Sequence, residues 1–338
     1  MTSTAGRLPD TAGMGQGPHA KEEAGGGRPG AAEPPRNTVV FLMALGGPDS
    51  LENVEPYLLD LRGGRPTPPE LVEEIRERYR ATGGKSPVLE ITRALAAKVE
   101  ARRPVRVVVG LRHWHPFIAE AWGEVIEYGP DCVIGICLAP QFSAMTVGKY
   151  LETLADARTD VGGGEIPLSA VKSWATHPGL VAGLAERIND ALGRFPDSER
   201  PSVPVLFTAH SLPERILRDG DPYPDEVRAT MEAVIAGLPA GQPTAFAYQS
   251  QGRSPEPWLG PEVEPTLDAL AADGVPGVVI APIGFLSDHV ETLYDIDIEF
   301  RARADKLGLR LERMAMLNDS DALADTLVAL VDEHLGPE

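Results

Sequence analysis

The sequence predicts an α/β fold of two Rossmann-like lobes, each with a parallel sheet, and a cleft between them. Three observations carry this. From Thr38 onward, short apolar runs alternate with amphipathic segments of helical period. Such alternation builds parallel strands joined by right-handed helical crossovers. The rhythm runs through two successive series, and 338 residues suffice for two domains of ordinary size.

The first series opens with TVVFLMAL (38–45), a strand ending at Gly46-Gly47-Pro48, after which Asp49 or Ser50 caps a helix through about Leu61. The turn RGGRPTPP (62–69) leads into a charged helix through Tyr79, and the loop ATGGKSP (81–87) into a helix to about Ala101. Strand VRVVVG (105–110) precedes a helix near Pro116–Tyr128, and strand CVIGICL (132–138) precedes one near Val147–Ala157. The second series begins with a helix over Pro178–Leu192 and the segment VPVLFTAHSLPER (203–215). A helix near Asp225–Ala236, strand TAFAYQ (244–249) and a helix at Glu262–Ala272 follow. Strand GVVIAPIG (277–284), a helix over about Asp288–Ala304 and a last helix over Ser320–His334 complete the chain. GGP after the first strand is too short for a GxGxxG fingerprint, which disfavours a dinucleotide ligand.

Composition narrows the partners. Asp and Glu number 50 against 31 Lys and Arg, a net charge of −19, so nucleic acid and anionic membrane surfaces are poor partners. No apolar run reaches the ~20 residues that span a bilayer, so stable membrane insertion is not expected. Cys132 and Cys137 lie in one strand, roughly 16 Å apart and on opposite faces, and cannot pair with each other there. With two cysteines in all, the chain reads as cytoplasmic, with no zinc cage and no iron–sulfur cluster. Residues 1–36 are rich in Gly, Pro and Ala without an apolar core; they read as a disordered leader, not a secretion signal.

Two stretches carry candidate chemistry. His210 stands where its strand ends, and Pro213 stops the sheet from continuing. The carboxyl edge of an open α/β sheet is where ligands bind, although a buried histidine bonded to a neighbour fits the same position. In SDHVETLYDIDIEF (287–300), Glu291, Asp295 and Glu299 recur every four residues and share a helix face. Like charges so placed destabilise a helix by roughly 0.2–0.5 kcal/mol per pair, so a cation, a facing arginine or protonation should compensate. The alternative is solvated capping, with Asp288 and Glu291 as a capping box and Glu299 paired to Arg303. A histidine and a carboxylate following different strands, both facing a cleft, would form a divalent-metal site.

The first series supplies cations. Arg62 and Arg65 flank two glycines, Arg78 and Arg80 flank Tyr79, and Lys85 with Ser86 follows in a glycine loop. In an acidic protein such clustering suggests an anion site, against the alternative of solvated helix-end charges. Tyr150 either donates its hydroxyl or packs. His113 and His115 have metal-like spacing but no partners of the same kind, and read as a loop after a strand.

From about Thr38 onward the chain resembles the ferrochelatases, and more closely the coproporphyrin ferrochelatases. The segments that carry the resemblance are LMALGGPDSLENVEPYL, RERYRATGGKSP, GLRHWHPFI, LAPQFSAMTVGKY, FTAHSLPERILRDGDPYPDEV, YQSQGRSPEPWLGP and PIGFLSDHVETLYDID, in the family's order. The resemblance implies a chelatase-like pair of lobes. Residues 37–158 with 318–338 would form the first and 159–317 the second, which carries the metal-facing residues. His210 and Glu291 would face the centre of a porphyrin as catalytic and metal-binding residues, with Asp295 and Glu299 as a possible outer path. Arg62, Arg78, Tyr79, Ser86 and Tyr150 would bind substrate propionates.

The implied reaction is insertion of ferrous iron into coproporphyrin III, giving iron coproporphyrin III in haem biosynthesis. Iron is then a substrate, no cofactor is tightly bound, and the protein acts as a monomer or weak oligomer. Coproporphyrin is favoured because the segment after the first helix is short and polar, and because four propionates need cations around the cleft. Leu45, where many coproporphyrin enzymes have a tyrosine, cannot ligate product iron; Gln141 stands where some relatives have histidine. The alternatives are protoporphyrin IX as substrate or a non-catalytic porphyrin or haem carrier, the latter disfavoured by the second metal-facing acid.

Overall fold

The computed structural model describes residues 37–335, so the leader assigned to 1–36 lies outside the described residues. The first sheet contains β1 (Thr38–Ala44), β2 (Arg106–Leu111), β3 (Cys132–Cys137) and β4 (Leu168–Val171), in the order β2-β1-β3-β4. The second contains β5 (Val205–His210), β6 (Thr244–Gln249), β7 (Gly277–Pro282) and β8 (Arg310–Arg313), in the order β6-β5-β7-β8. All pairings are parallel. The two sheets thus repeat one topology.

Helices cover the connections. In the first lobe they are α1 (Val54–Leu61), α2 (Pro69–Ala81), α3 (Val88–Arg102), α4 (Ile118–Tyr128) and α5 (Val147–Asp160). The second has α6 (Pro178–Leu192), α7 (Arg215–Arg218), α8 (Tyr223–Ile235), α9 (Val263–Ala272), a π-helix (Glu291–Phe300) and α10 (Arg301–Lys306). The last helix, α11 (Asp321–Leu335), packs against both α3 and α6.

Strand β1 shows why the central runs are continuously apolar. Its side chains alternate between faces, and both faces are covered. Val40 and Leu42 enter a core that also holds Val205 and Phe207 of β5, while Val39, Phe41 and Met43 pack with Trp122 and Leu154 on the other side. Each such residue contributes roughly 1.5–3 kcal/mol on burial. The core that contains residues of both sheets joins the lobes into one body.

Several sequence expectations need correction. Strands β4 and β8 carry no apolar run; as short edge strands, LSAV and RLER are only partly buried. Since β4 pairs with β3, the first sheet extends through Val171, beyond the boundary drawn at 158. Helix α1 begins at Val54, because Asp49 accepts a bond from the Asn53 side chain at 2.7 Å within the preceding turn instead of capping a helix itself. The helix expected over Asp288–Ala304 is a π-helix followed by α10. Its entry is not an Asp288–Glu291 capping box: the Thr292 hydroxyl accepts from the His289 N–H at 3.0 Å. Arg303 pairs with Asp268, not with Glu299.

Candidate functional site

In each sheet the chain's successive strands lie on opposite sides of the first: β2 and β3 flank β1, and β6 and β7 flank β5. Crossovers leave such a strand in opposite directions, opening a crevice at its carboxyl end. A cavity of about 230 Å³ lies where both crevices meet. Leu45 and Gly46 after β1, Leu138 and Gln141 after β3, His210 at the end of β5 and Phe285 after β7 line it.

Close packing holds the second lobe's wall. A Cβ on Gly284 would come within 2.9 Å of Ala209 Cα, so only glycine lets the chain after β7 pass against the end of β5. That passage brings His289 and Glu291 to the cavity beside His210.

His210 Nε2 lies 3.6 Å from Glu291 Oε1, and His289 Nε2 lies 3.6 Å from Glu291 Oε2. One carboxylate is therefore bracketed by two imidazoles. His210 Nδ1 is 2.5 Å from the Ser211 carbonyl and His289 Nδ1 is 3.0 Å from that of Ser287. A carbonyl oxygen only accepts, so each Nδ1 carries the hydrogen, and Nε2 of the neutral ring keeps its lone pair toward Glu291. The His210 and Glu291 side chains are 32% and 26% exposed, open to a ligand but sheltered enough for strong electrostatics.

Burial alone would raise the Glu291 pKa, but His210 and then His289 override it and hold the carboxylate well below its ordinary range. Burial alone would lower that of His210; the Glu291 charge and its hydrogen bond outweigh this and raise it. The pair thus favours imidazolium beside carboxylate when no ion is between them.

The acidic row continues along the π-helix, and its compensation is visible. Arg78 of α2 reaches Asp295 at 3.0 Å and Glu299 at 3.5 Å. Its guanidinium also lies over the Tyr294 ring, 4.8 Å from the centroid. Burial, then the charges of Glu291 and Glu299, push the Asp295 pKa up to about 6 against the Ser250 hydrogen bond and Arg78. Of the compensations anticipated for a like-charged row, the facing arginine is present as Arg78, and two imidazoles flank its first member, Glu291.

Of the anion-binding candidates, Tyr150 lines the cavity, whereas Arg62, Arg78, Tyr79 and Ser86 are not in its lining. Tyr79 and Ser86 gather beside it at Gly47, where an added Cβ would lie 2.6 Å from Ser86 Oγ and 3.3 Å from Tyr79 Oη. Arg62 follows α1 with its Nε buried and without a hydrogen-bond partner, and Arg78 is held by the acidic row. Sequence reading missed Arg112, whose guanidinium sits 5.6 Å from the Tyr150 ring centroid at the cavity wall. It also missed His289 and Tyr223. The signals were there: Arg112 opens the RHWH run, and His289 precedes Glu291 by two residues. His113 and His115 lie in the loop after β2, bonded to Asp60 at 2.8 Å and Glu120 at 3.0 Å. Both cysteines are free, and burial pushes the Cys137 thiol up to about 12.

Comparison with known proteins adds an independent line. The family model described as Ferrochelatase matches residues 37–335. A ferrochelatase of Herpetosiphon aurantiacus is 42% identical over 300 residues, covering 87% of this chain and 98% of its own. The coproporphyrin III ferrochelatase of Bacillus subtilis is 33% identical over 305 residues, covering 88% and 97%. Among solved structures, SirB from Bacillus subtilis with Fe3+ superposes with a TM-score of 0.58 at 11% identity, covering 87% of this chain and 94% of that one, a likeness of fold.

Proposed function

From its membership of the ferrochelatase family, whose activity is insertion of a metal ion into a porphyrin, we propose that this chain inserts ferrous iron into coproporphyrin III. The observation that carries the reading is the His210–Glu291 pair, 3.6 Å apart at one cavity built from the ends of both sheets.

Metallation of a planar porphyrin is slow because the two pyrrole hydrogens occupy the centre. A cleft that binds a bent macrocycle favours the transition state over the flat substrate. Neutral His210 offers Nε2 as a nitrogen donor to ferrous iron, and Glu291 offers a carboxylate oxygen. The two protons released need acceptors at the same place, and imidazole and carboxylate serve that role in turn. His289 keeps Glu291 ionised and oriented toward the cavity. Asp295 and Glu299 extend the acidic row outward as a path for ion or protons.

Coproporphyrin is preferred over protoporphyrin because it carries four carboxylates instead of two. Arg112 and Tyr150 stand at the cavity wall, and Arg62, outside the lining, has an unpartnered Nε on the polar segment after α1. Guanidinium groups bind carboxylates in bidentate fashion.

The deciding experiment is anaerobic absorbance spectroscopy with ferrous iron and each porphyrin in turn. Faster metallation of coproporphyrin III is expected. Faster turnover of protoporphyrin IX would reverse the substrate assignment, and tight porphyrin binding without turnover would make the protein a carrier.

A further inference from the structure

Resting on the metallation reading, we infer that Asp221 is a positioning residue that sets the spacing between the two walls of the cleft. Its carboxylate sits on the seam between the lobes and divides its two oxygens between them. Oδ2 accepts from the Ser143 hydroxyl at 2.9 Å and the Ala144 N–H at 2.8 Å, both in the loop that leads from β3 into α5. Oδ1 accepts from the Tyr223 N–H at 3.0 Å, at the first residue of α8.

Each arm ends at the cavity. On the first lobe's side, Ser143 is fully buried, and its carbonyl accepts from Thr146 and Gly148 at the start of α5, the helix that brings Tyr150 to the wall. On the other side, the Tyr223 hydroxyl donates to the His210 carbonyl at 2.9 Å. One acidic side chain therefore ties the helix carrying Tyr150 to the strand end carrying His210. Two neighbours on α8 reinforce the loop: Glu226 accepts from the Phe142 N–H at 2.6 Å, and Thr230 accepts from Gln141 at 3.0 Å. Asp221 differs from both in having its second oxygen bonded toward the strand that bears His210.

Every partner of Asp221 is a donor, which makes Asp221→Asn an informative change. The shape is kept, but an amide nitrogen must face one set of donors, so one arm is lost. Displacement of about 1 Å at a reacting centre costs up to roughly a hundred-fold in rate. With ferrous iron and coproporphyrin III, D221N is expected to lower kcat roughly ten-fold or more with porphyrin KM changed less than about three-fold. Tyr223→Phe removes the hydroxyl that carries the chain of bonds from Asp221 on to His210, so the double variant should be no slower than about two-fold below the slower single variant. Should D221N not fold, Ser143→Ala removes one of the two first-lobe donors to Asp221, together with the bond that Oγ accepts from the Met145 N–H, and should lower kcat about three-fold with an unchanged circular-dichroism spectrum. A merely structural role lowers thermal stability while leaving kcat per folded molecule at the wild-type value, and that result overturns the inference. Rate losses that multiply in the double variant overturn it as well. Wild-type protein that metallates no porphyrin overturns the function reading with it, whereas active wild type with unaffected variants sinks this inference alone.

Discussion

Arg78 and Asp295, 217 positions apart in the chain, meet at 3.0 Å and join α2 of the first lobe to the π-helix of the second. The contact places a fixed positive charge on the middle member of an acidic row whose first member, Glu291, faces the cavity. It opposes, without overcoming, the burial that raises the Asp295 pKa.

Asp295 has a pKa raised to about 6 in the folded state, above its ordinary value of 3.8. A carboxyl group raised on folding favours the protonated form, so folding is most stable below the unfolded pKa and loses stability as pH rises toward the folded one. The loss across pH 4 to 6 is about 2 kcal/mol for this group alone. Asp295→Asn is therefore expected to flatten the pH dependence of urea unfolding between pH 4 and 7. A curve superposable on wild type would show that Asp295 titrates normally.

His210→Ala removes the nitrogen donor while leaving the rest of the cavity lining in place. Iron insertion should fall more than about a hundred-fold while porphyrin binding, followed by fluorescence quenching, changes little. Activity within a few-fold of wild type would refute the assignment of His210.

Glu291 raises the pKa of His210, and a protonated Nε2 cannot hold a metal ion. Insertion should therefore rise with pH through the raised pKa of His210. Replacing Glu291 with glutamine removes the charge, so the acid limb of any residual activity should move to lower pH. A limb that stays in place or moves upward would contradict the coupling.

Arg112 and Arg62 are expected to act on affinity. Replacing either by alanine should weaken coproporphyrin binding, with Arg112→Ala the larger effect because its side chain lines the cavity. Titration of porphyrin fluorescence measures this directly, and unchanged affinity in both variants would remove the anion-patch assignment.

Stability should depend on Arg313 of β8, which bonds both oxygens of Asp297 at 2.9 and 2.8 Å and reaches Asp288 at 3.1 Å. Arg313→Ala leaves two partly buried carboxylates without their cation, at a cost of about 3 kcal/mol. Urea denaturation should show that loss in the midpoint, and a shift worth under about 1 kcal/mol would mean the network is solvated.

What the sequence determined by itself was the alternation of elements and the residues at the strand ends. Runs such as TVVFLMA and GVVIAP are apolar on both faces because helices cover both, so burial writes them into composition. His210 was legible because a polar residue ends such a run. Only the tertiary structure decided the rest, because it depends on partners far away in the chain. The edge strands β4 and β8 take their identity from the neighbour they bond to, not from their own partly buried side chains. The π-helix differs from an α-helix in hydrogen-bond register, which side-chain spacing does not record. His210, His289 and Glu291 converge because the order of strands reverses at β5, which sets the turn after β7 beside the end of its neighbour. Arg78 reads from sequence as part of an anion site; packing of the two lobes pairs it with Asp295.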